Sequence, residues 1–235
     1  MANYNFITSS GKEIPVIINT KRGLRNITLR PKVDEPHRIE ISRPWLSTDS
    51  AALRFMEQKR RWLERIFANA PQKRHLVSGD VLEIFGTSVK VVFCSTVRSN
   101  KIENQPDGTR ILFVGGDERL LESRVRMFIK QELMHQIKDL IHKTPRDFWP
   151  KRICLRDTTS RWGSCSSTGT MSFSWRLAFA PFDVMRYVVM HELAHTKHMD
   201  HSQAFWATVR ELYGFGIERA KRWLVQNGGK LHEYL

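Results

Sequence analysis

The sequence predicts an α+β protein, with a mainly β N-terminal region followed by helices and a β-hairpin. Short segments of alternating apolar and polar residues, separated by turn residues, fill most of residues 1–116. A long stretch with helical spacing of apolar residues then runs from about Asp117 to Lys143. A second apolar helix carries two histidines four residues apart, at 191 and 195. We therefore expect two domains, an N-terminal β-rich region at 1–116 and a second domain at 117–235.

The N-terminal region is expected to contain one helix among its strands. Alternating apolar residues around Val16 predict strands before residue 45. The helix should begin after an N-cap at Ser47 or Thr48 and end before Pro71. A hairpin is expected next, with strands at 81–85 and 89–93 and a turn at 86–88.

The second domain has a hairpin, the histidine-bearing helix and two C-terminal helices. Strand-like residues around a turn predict the hairpin within 161–175. Pro181 suits the start of the histidine-bearing helix. Ser202 can cap the next helix, which should stop near Gly214, and the last helix should end at Gly228.

Composition limits the class of protein. The net charge of +14 favours anionic partners such as nucleic acid or nucleotides. No run of 18 apolar residues is present and the N-terminus lacks the pattern of a signal peptide, so we expect no membrane span and a cytoplasmic location. Three widely spaced cysteines do not form a disulfide framework, which fits a reducing compartment.

The sequence His191-Glu192-Leu193-Ala194-His195 matches the zinc-binding pattern HExxH. A helix turns about 100° per residue, so His191 and His195 lie one turn apart on one face and can bind one ion. Glu192 falls beside that face, within reach of a water activated by the metal. The apolar run before the motif predicts a buried helix, where two adjacent histidines need polar partners.

The third ligand is less closely specified by the motif. His201 follows His195 with the five-residue gap of the pattern HExxHxxGxxH, in which glycine breaks the helix. His198 occupies the glycine position here, and no methionine follows Met199, so the Met-turn of metzincins is missing. We expect His201 to be the third ligand and His198 not to bind the metal. A later glutamate, Glu211 or Glu218, is the alternative.

The motif predicts zinc-assisted hydrolysis, with Glu192 as the general base. The substrate could be a peptide or a nucleotide. The first alternative is a phosphoanhydride hydrolase acting on nucleoside triphosphates, with basic side chains converging near the metal. The second is a nucleic-acid-binding protein whose structural zinc has a fourth protein ligand. Arg161, Arg176 and Tyr187 are candidates for transition-state or substrate contacts.

Two longer runs resemble a known family. RWGSCSSTGTMSFSWRLAFAP at 161–181 and YVVMHELAHTKHMDHSQAFW at 187–206 are similar to the YgjP-like metallopeptidases, a zincin group related to SprT-like proteins. The resemblance implies a zincin-like core of long helix, hairpin, HExxH helix and C-terminal helices. It also implies that His191, His195 and His201 bind the metal and that Glu192 is the catalytic acid and base.

Overall fold

The structure, a computed structural model, describes residues 4–33, 36–68, 75–158 and 161–233. The chain forms two compact units, Met1–Gln72 and Lys73–Leu235. The mixed α+β class expected from the sequence is confirmed. The units divide at a different place from the expected residue 116, because Leu82, Val91 and Leu112 pack in the same apolar core as the long helix.

The first unit is a mixed sheet with two helices. Its strands follow the order β1-β2-β4-β3, in which β2 and β4 are parallel and the other pairs are antiparallel. The elements are β1 (Tyr4–Ile7), β2 (Glu13–Lys21), β3 (Thr28–Lys32), β4 (Arg38–Pro44), α1 (Asp49–Gln58) and α2 (Arg60–Ala68).

The expected single helix of this unit is two helices, separated at Lys59. Thr48 is the N-cap of α1, as the sequence indicates, and its hydroxyl accepts a hydrogen bond from the backbone N–H of Ala51. The Lys59 N–H donates to the carbonyl of Met56, three residues earlier, as in a 3₁₀ turn, whereas an α-helical bond reaches four residues back. The apolar spacing runs through this break without interruption, so the pattern could not reveal it.

The second unit contains two further sheets and four helices among the described residues. One sheet has the order β5-β6-β8-β7 and the other has the order β10-β11-β9. The elements are β5 (Val81–Ile84), β6 (Thr87–Phe93), β7 (Lys101–Asn104), β8 (Arg110–Val114), α3 (Leu121–His142), β9 (Arg152–Arg156), β10 (Gly163–Cys165), β11 (Thr170–Ser174), α4 (Phe182–Ala194), α5 (Gln203–Tyr213) and α6 (Ile217–Asn227).

Helix α3 forms the centre of the second unit. Val125, Ile129, Leu133 and Ile137 repeat at four-residue intervals along it, and all four are fully buried. This stripe lies in one core with the inner face of the β5–β8 sheet and with α4. Burying apolar side chains contributes roughly 25 cal/mol for each Å² removed from water, so this core stabilises the position of α4.

The turn of the β5–β6 hairpin is hydrogen-bonded to the start of α4 and to the segment just before it. This turn is the two-residue Phe85-Gly86 and not the expected three residues 86–88, since Thr87 pairs with Ile84. Both turn residues have positive φ, 52° and 77°. The Phe85 N–H donates to the Ala178 carbonyl at 2.8 Å, and the Phe182 N–H donates to the Phe85 carbonyl at 3.3 Å. The second bond satisfies a backbone donor that the first turn of α4 would otherwise leave unpaired.

The chain's last turns pack on the β10–β11 hairpin. The Trp162 ring lies 5.4 Å from the His232 ring, centroid to centroid. A Cβ atom at Gly228 would lie 2.9 Å from the Trp162 indole, so glycine permits this close approach. The Arg176 guanidinium donates to the Leu231 carbonyl at 3.4 Å. These contacts hold β10 in place beside α4.

Two further features concern the chain as a whole. Cys94, Cys154 and Cys165 are free thiols, as expected. None of the helices in the described parts of the chain is long and apolar enough to cross a lipid bilayer.

Candidate metal centre

Helix α4 carries the first half of the HExxH motif, and the second histidine caps the helix. Most of the helix is buried, and Val188, Val189 and Leu193 pack in the core of the second unit. His195 keeps helical backbone angles, φ −66° and ψ −14°. His191 and His195 therefore lie one turn apart, with ring centroids 5.1 Å apart.

The chain turns back after His195 without a left-handed residue. The N–H groups of Thr196 and His198 donate to the carbonyls of Leu193 and Ala194. Among the described residues, Phe85 is the single non-glycine with positive φ, so His198 does not reproduce the backbone of the glycine in HExxHxxGxxH. The turn nevertheless returns His201 to the face of α4 that carries His191.

Three imidazoles converge at this face. The Nε2 atoms of His191 and His201 are 3.3 Å apart, and one nitrogen from each of the three histidines lies within 4.8 Å of the other two. Two ligands at about 2.05 Å from one zinc ion, at a tetrahedral angle, would be about 3.4 Å apart. Phe205 of α5 packs against all three rings, at centroid distances of 4.5–4.9 Å.

The nitrogens that face away from this cluster differ in their partners. Nδ1 of His195 lies 2.9 Å from the His198 carbonyl, so it donates its proton there and leaves Nε2 with a lone pair for a metal. Nδ1 of His191 is buried and has no partner within the described residues. Burial, with the neighbouring charges of His195, His201 and Lys221, lowers the pKa of His191 to about 4. His191 is therefore neutral near pH 7, as a metal ligand must be.

Glu192 is buried beside the histidines, at 5% exposure. Burial raises the pKa of its carboxyl to about 7, and the nearby charge of Arg161 opposes that rise. Its side chain lies directly against β10. A Cβ atom at Gly163 would lie 2.5 Å from Oε1 of Glu192 and 2.6 Å from its Cγ, so only glycine leaves room for the carboxylate here. No local sequence pattern predicts this contact, because it joins β10 to a different segment of the chain.

The three other candidate residues have different surroundings. The Tyr187 ring lies 5.9 Å from that of His191, and burial, with Glu218, Glu192 and Tyr213, raises its pKa to about 12. Arg161 is exposed, and its positive charge is close enough to Glu192 to act against the rise in the pKa of that carboxyl. Arg176 is 3% exposed and donates to Asp157, and this engagement favours a structural role over contact with substrate.

The Arg176–Asp157 pair gives a stability prediction. Partial burial opposes ionisation of Asp157, but the hydrogen bonds and charge of Arg176, with Trp175 and His232, outweigh it and hold its pKa below the usual value. Asp157→Asn should lower the free energy of unfolding of the metal-free protein at pH 7 by about 1–2 kcal/mol, a range reduced from that of a fully buried pair because Asp157 is half exposed.

The sign follows from the direction of the shift. A carboxyl with a lowered folded-state pKa stabilises the fold above its unfolded pKa of about 3.9, and loses that effect as the pH falls through the folded value. The difference between Asp157→Asn and the wild type should therefore shrink below pH 4. Urea unfolding at pH 7 and pH 3 measures it, and an equal difference at both values would contradict the role of this pair.

The alternative third ligands do not join the cluster. The group of potential metal ligands among the described residues consists of His191, His195 and His201. Glu218 pairs with Lys221 at 3.0 Å and Glu211 is exposed on α5. The donor set is thus three imidazole nitrogens with no fourth protein ligand in the described part of the chain, a composition typical of catalytic zinc sites.

The fold and this donor set define a class, the metal-dependent hydrolases with an HExxH helix. The chain belongs to the YgjP-like metallopeptidase domain family, whose model matches residues 25–227. A solved structure, the metallopeptidase zymogen abylysin of Pyrococcus abyssi, is 24% identical over 45% of this chain and 98% of its own, with a TM-score of 0.32. None of the functionally curated proteins matches the chain.

Proposed function

We propose that the chain is a zinc-dependent metallopeptidase in which His191, His195 and His201 bind the ion. One observation carries this proposal: three convergent imidazoles lie beside a buried carboxylate, that of Glu192. The 3.3 Å spacing of the His191 and His201 Nε2 atoms suits a bound cation, and the family supports peptide as the substrate class. The free cysteines support a reducing, cytoplasmic compartment.

Glu192 is the proposed general base and general acid. A bound zinc ion would supply Lewis acidity and lower the pKa of water towards about 7. Glu192 takes a proton from the attacking water and returns it to the departing amine nitrogen, so the proton balance closes. Its burial excludes bulk water, which strengthens electrostatic interactions around the reacting group. Arg161 and Tyr187 remain the candidates for stabilising the developing oxyanion.

The substrate is proposed to pair with β10. This strand lies at the edge of its sheet and is hydrogen-bonded to β11 on one side. An extended peptide can add a strand to such an edge, and backbone hydrogen bonds then hold it in register. Because Gly163 of β10 touches Glu192, a peptide along this edge would pass next to the proposed base.

Hydrolysis of nucleoside triphosphates is a second candidate function. A groove near Trp206 is lined by Arg210, Arg219 and Lys221, which suits a polyphosphate. The structural-zinc alternative is disfavoured, since it requires a fourth protein ligand and the described residues supply none to the cluster.

Zinc analysis and a substrate screen test the proposal. The purified chain should bind one zinc ion and cleave unfolded proteins and peptides. A chelator should abolish cleavage and added zinc should restore it, because the hydrolysis depends on the ion. A zinc-loaded chain that hydrolyses nucleoside triphosphates and no peptide would overturn the proposal in favour of the second candidate.

A further inference from the structure

A groove of about 620 Å³ opens between α5 and α6, next to the metal centre. Trp206 lies beside both the groove and the histidine cluster. It lines the groove, and its ring lies 5.7 Å from that of His191 and 6.1 Å from that of His201. A ligand that fills the groove would therefore lie about one side-chain width from the histidine cluster.

The lining of this groove is strongly positive. Four cationic residues, Arg210, Arg219, Lys221 and Arg222, face a single carboxylate, Glu218. Glu218 is already paired with Lys221 at 3.0 Å, and its backbone carbonyl accepts a hydrogen bond from Arg222 Nε at 3.3 Å. No ion pair involves Arg210 or Arg219 within the described residues, so both guanidinium groups are available to an anion.

The groove also has aromatic walls. The Lys221 ammonium lies 3.8 Å from the centre of the Trp206 ring, a cation–π contact between two residues that line the groove. Phe215, which also lines the groove, is fully exposed. It lies in the turn between α5 and α6, where Gly214 and Gly216 have φ of 83° and 94°. Such a site suits a short organic group that carries negative charge.

We propose that this groove binds an acidic side chain of the peptide substrate and so selects for Asp or Glu close to the cleaved bond. The inference rests on the proposed peptidase function and adds a substrate preference to it. An extended peptide advances about 3.3–3.6 Å per residue. The Trp206 ring, which lines the groove, is centred 5.7 Å from the His191 ring and 6.1 Å from the His201 ring, so we expect the selected residue one to three positions from the cleaved bond.

Paired quenched fluorescent peptides test the preference. Each pair carries Asp or Asn at one position within three residues of the cleaved bond, and kcat/KM is measured for both at low ionic strength. At the selected position the Asp peptide should be preferred by about fivefold or more, the effect of two or three exposed charge pairs. High salt should reduce the preference, because it screens exposed charges.

Two double variants distinguish an effect of the groove arginines from an effect of the protein's overall positive charge. Arg210→Gln/Arg219→Gln should bring the Asp-to-Asn ratio close to one. Arg98→Gln/Arg152→Gln removes the same charge from exposed residues that do not line the groove and should keep the wild-type ratio. Thermal unfolding midpoints of all proteins, measured in parallel, identify any variant that fails to fold.

The possible results distinguish a failure of the proposed acidic preference from a failure of the proposed peptidase function. Equal kcat/KM for Asp and Asn peptides in the wild type overturns the groove proposal and leaves the peptidase intact. An equal loss of preference in both double variants also overturns it, because the preference would then come from overall charge. A wild type that cleaves no peptide at all, with or without hydrolysis of nucleoside triphosphates, overturns the proposed function itself.

Discussion

Replacing Glu192 by glutamine is expected to lower kcat by about 10²–10⁴-fold, the usual contribution of a general base. The amide keeps the size of the side chain but can neither take the proton from water nor return it to the leaving group. Glu192 is outside the group of three metal-binding candidates, so the zinc content should remain that of the wild type. Peptide cleavage and zinc analysis on the same preparation measure both quantities.

Glu211→Gln is the matched control for this variant. Glu211 lies exposed on α5 and the substitution makes the same change of charge. It should leave kcat and zinc content close to the wild-type values. If Glu192→Gln cleaved peptides as fast as the wild type, a different group would have to be the base, and the mechanism proposed for this site would be wrong.

Replacing Gly163 by alanine should have the second-largest effect. The new methyl group would lie 2.5 Å from Oε1 of Glu192, well inside van der Waals contact, so the carboxylate or β10 must shift. A displacement of about 1 Å can cost about 10²-fold in rate, and we expect a loss of that order in kcat/KM. Zinc binding should survive, because the collision involves Glu192 and none of the three histidines.

Gly229→Ala is the control for this substitution. A Cβ atom at Gly229 meets nothing within 4 Å, and its backbone does not require glycine. This variant should keep its activity, so a loss in Gly163→Ala alone would trace to the contact with Glu192. Full activity in Gly163→Ala would show that β10 yields easily and that glycine is not needed there.

Local patterns predicted much of this fold. The long helix, the two hairpins and the cap of α1 at Thr48 all follow from periodicity or capping chemistry within a few residues of sequence. The helix break at Lys59 and the division between the two units at residue 72 do not follow from such local patterns. Both depend on tertiary packing: the break lies within an uninterrupted apolar pattern, and the β5–β8 sheet joins the second unit by contacts with α3.

The sequence also predicted which residues meet at the candidate site, but not how they are supported. Helical spacing brings His191 and His195 together, and the gap to His201 restricts where the third imidazole can lie. The contact of Gly163 with Glu192 and the packing of Phe205 on the imidazoles join segments far apart along the chain. No spacing rule within a single segment predicts such contacts, so they had to come from the structure.

The most direct test of the metal centre is the zinc affinity of His201→Ala, measured by competition with a chelator and compared with His198→Ala. His198 is the neighbouring histidine, and its carbonyl, which accepts from His195, is kept in the alanine variant. If three histidines bind the ion, His201→Ala should lose most of its affinity while His198→Ala stays close to the wild type. Full affinity in His201→Ala, with loss in Glu211→Ala or Glu218→Ala, would contradict the proposed ligand set.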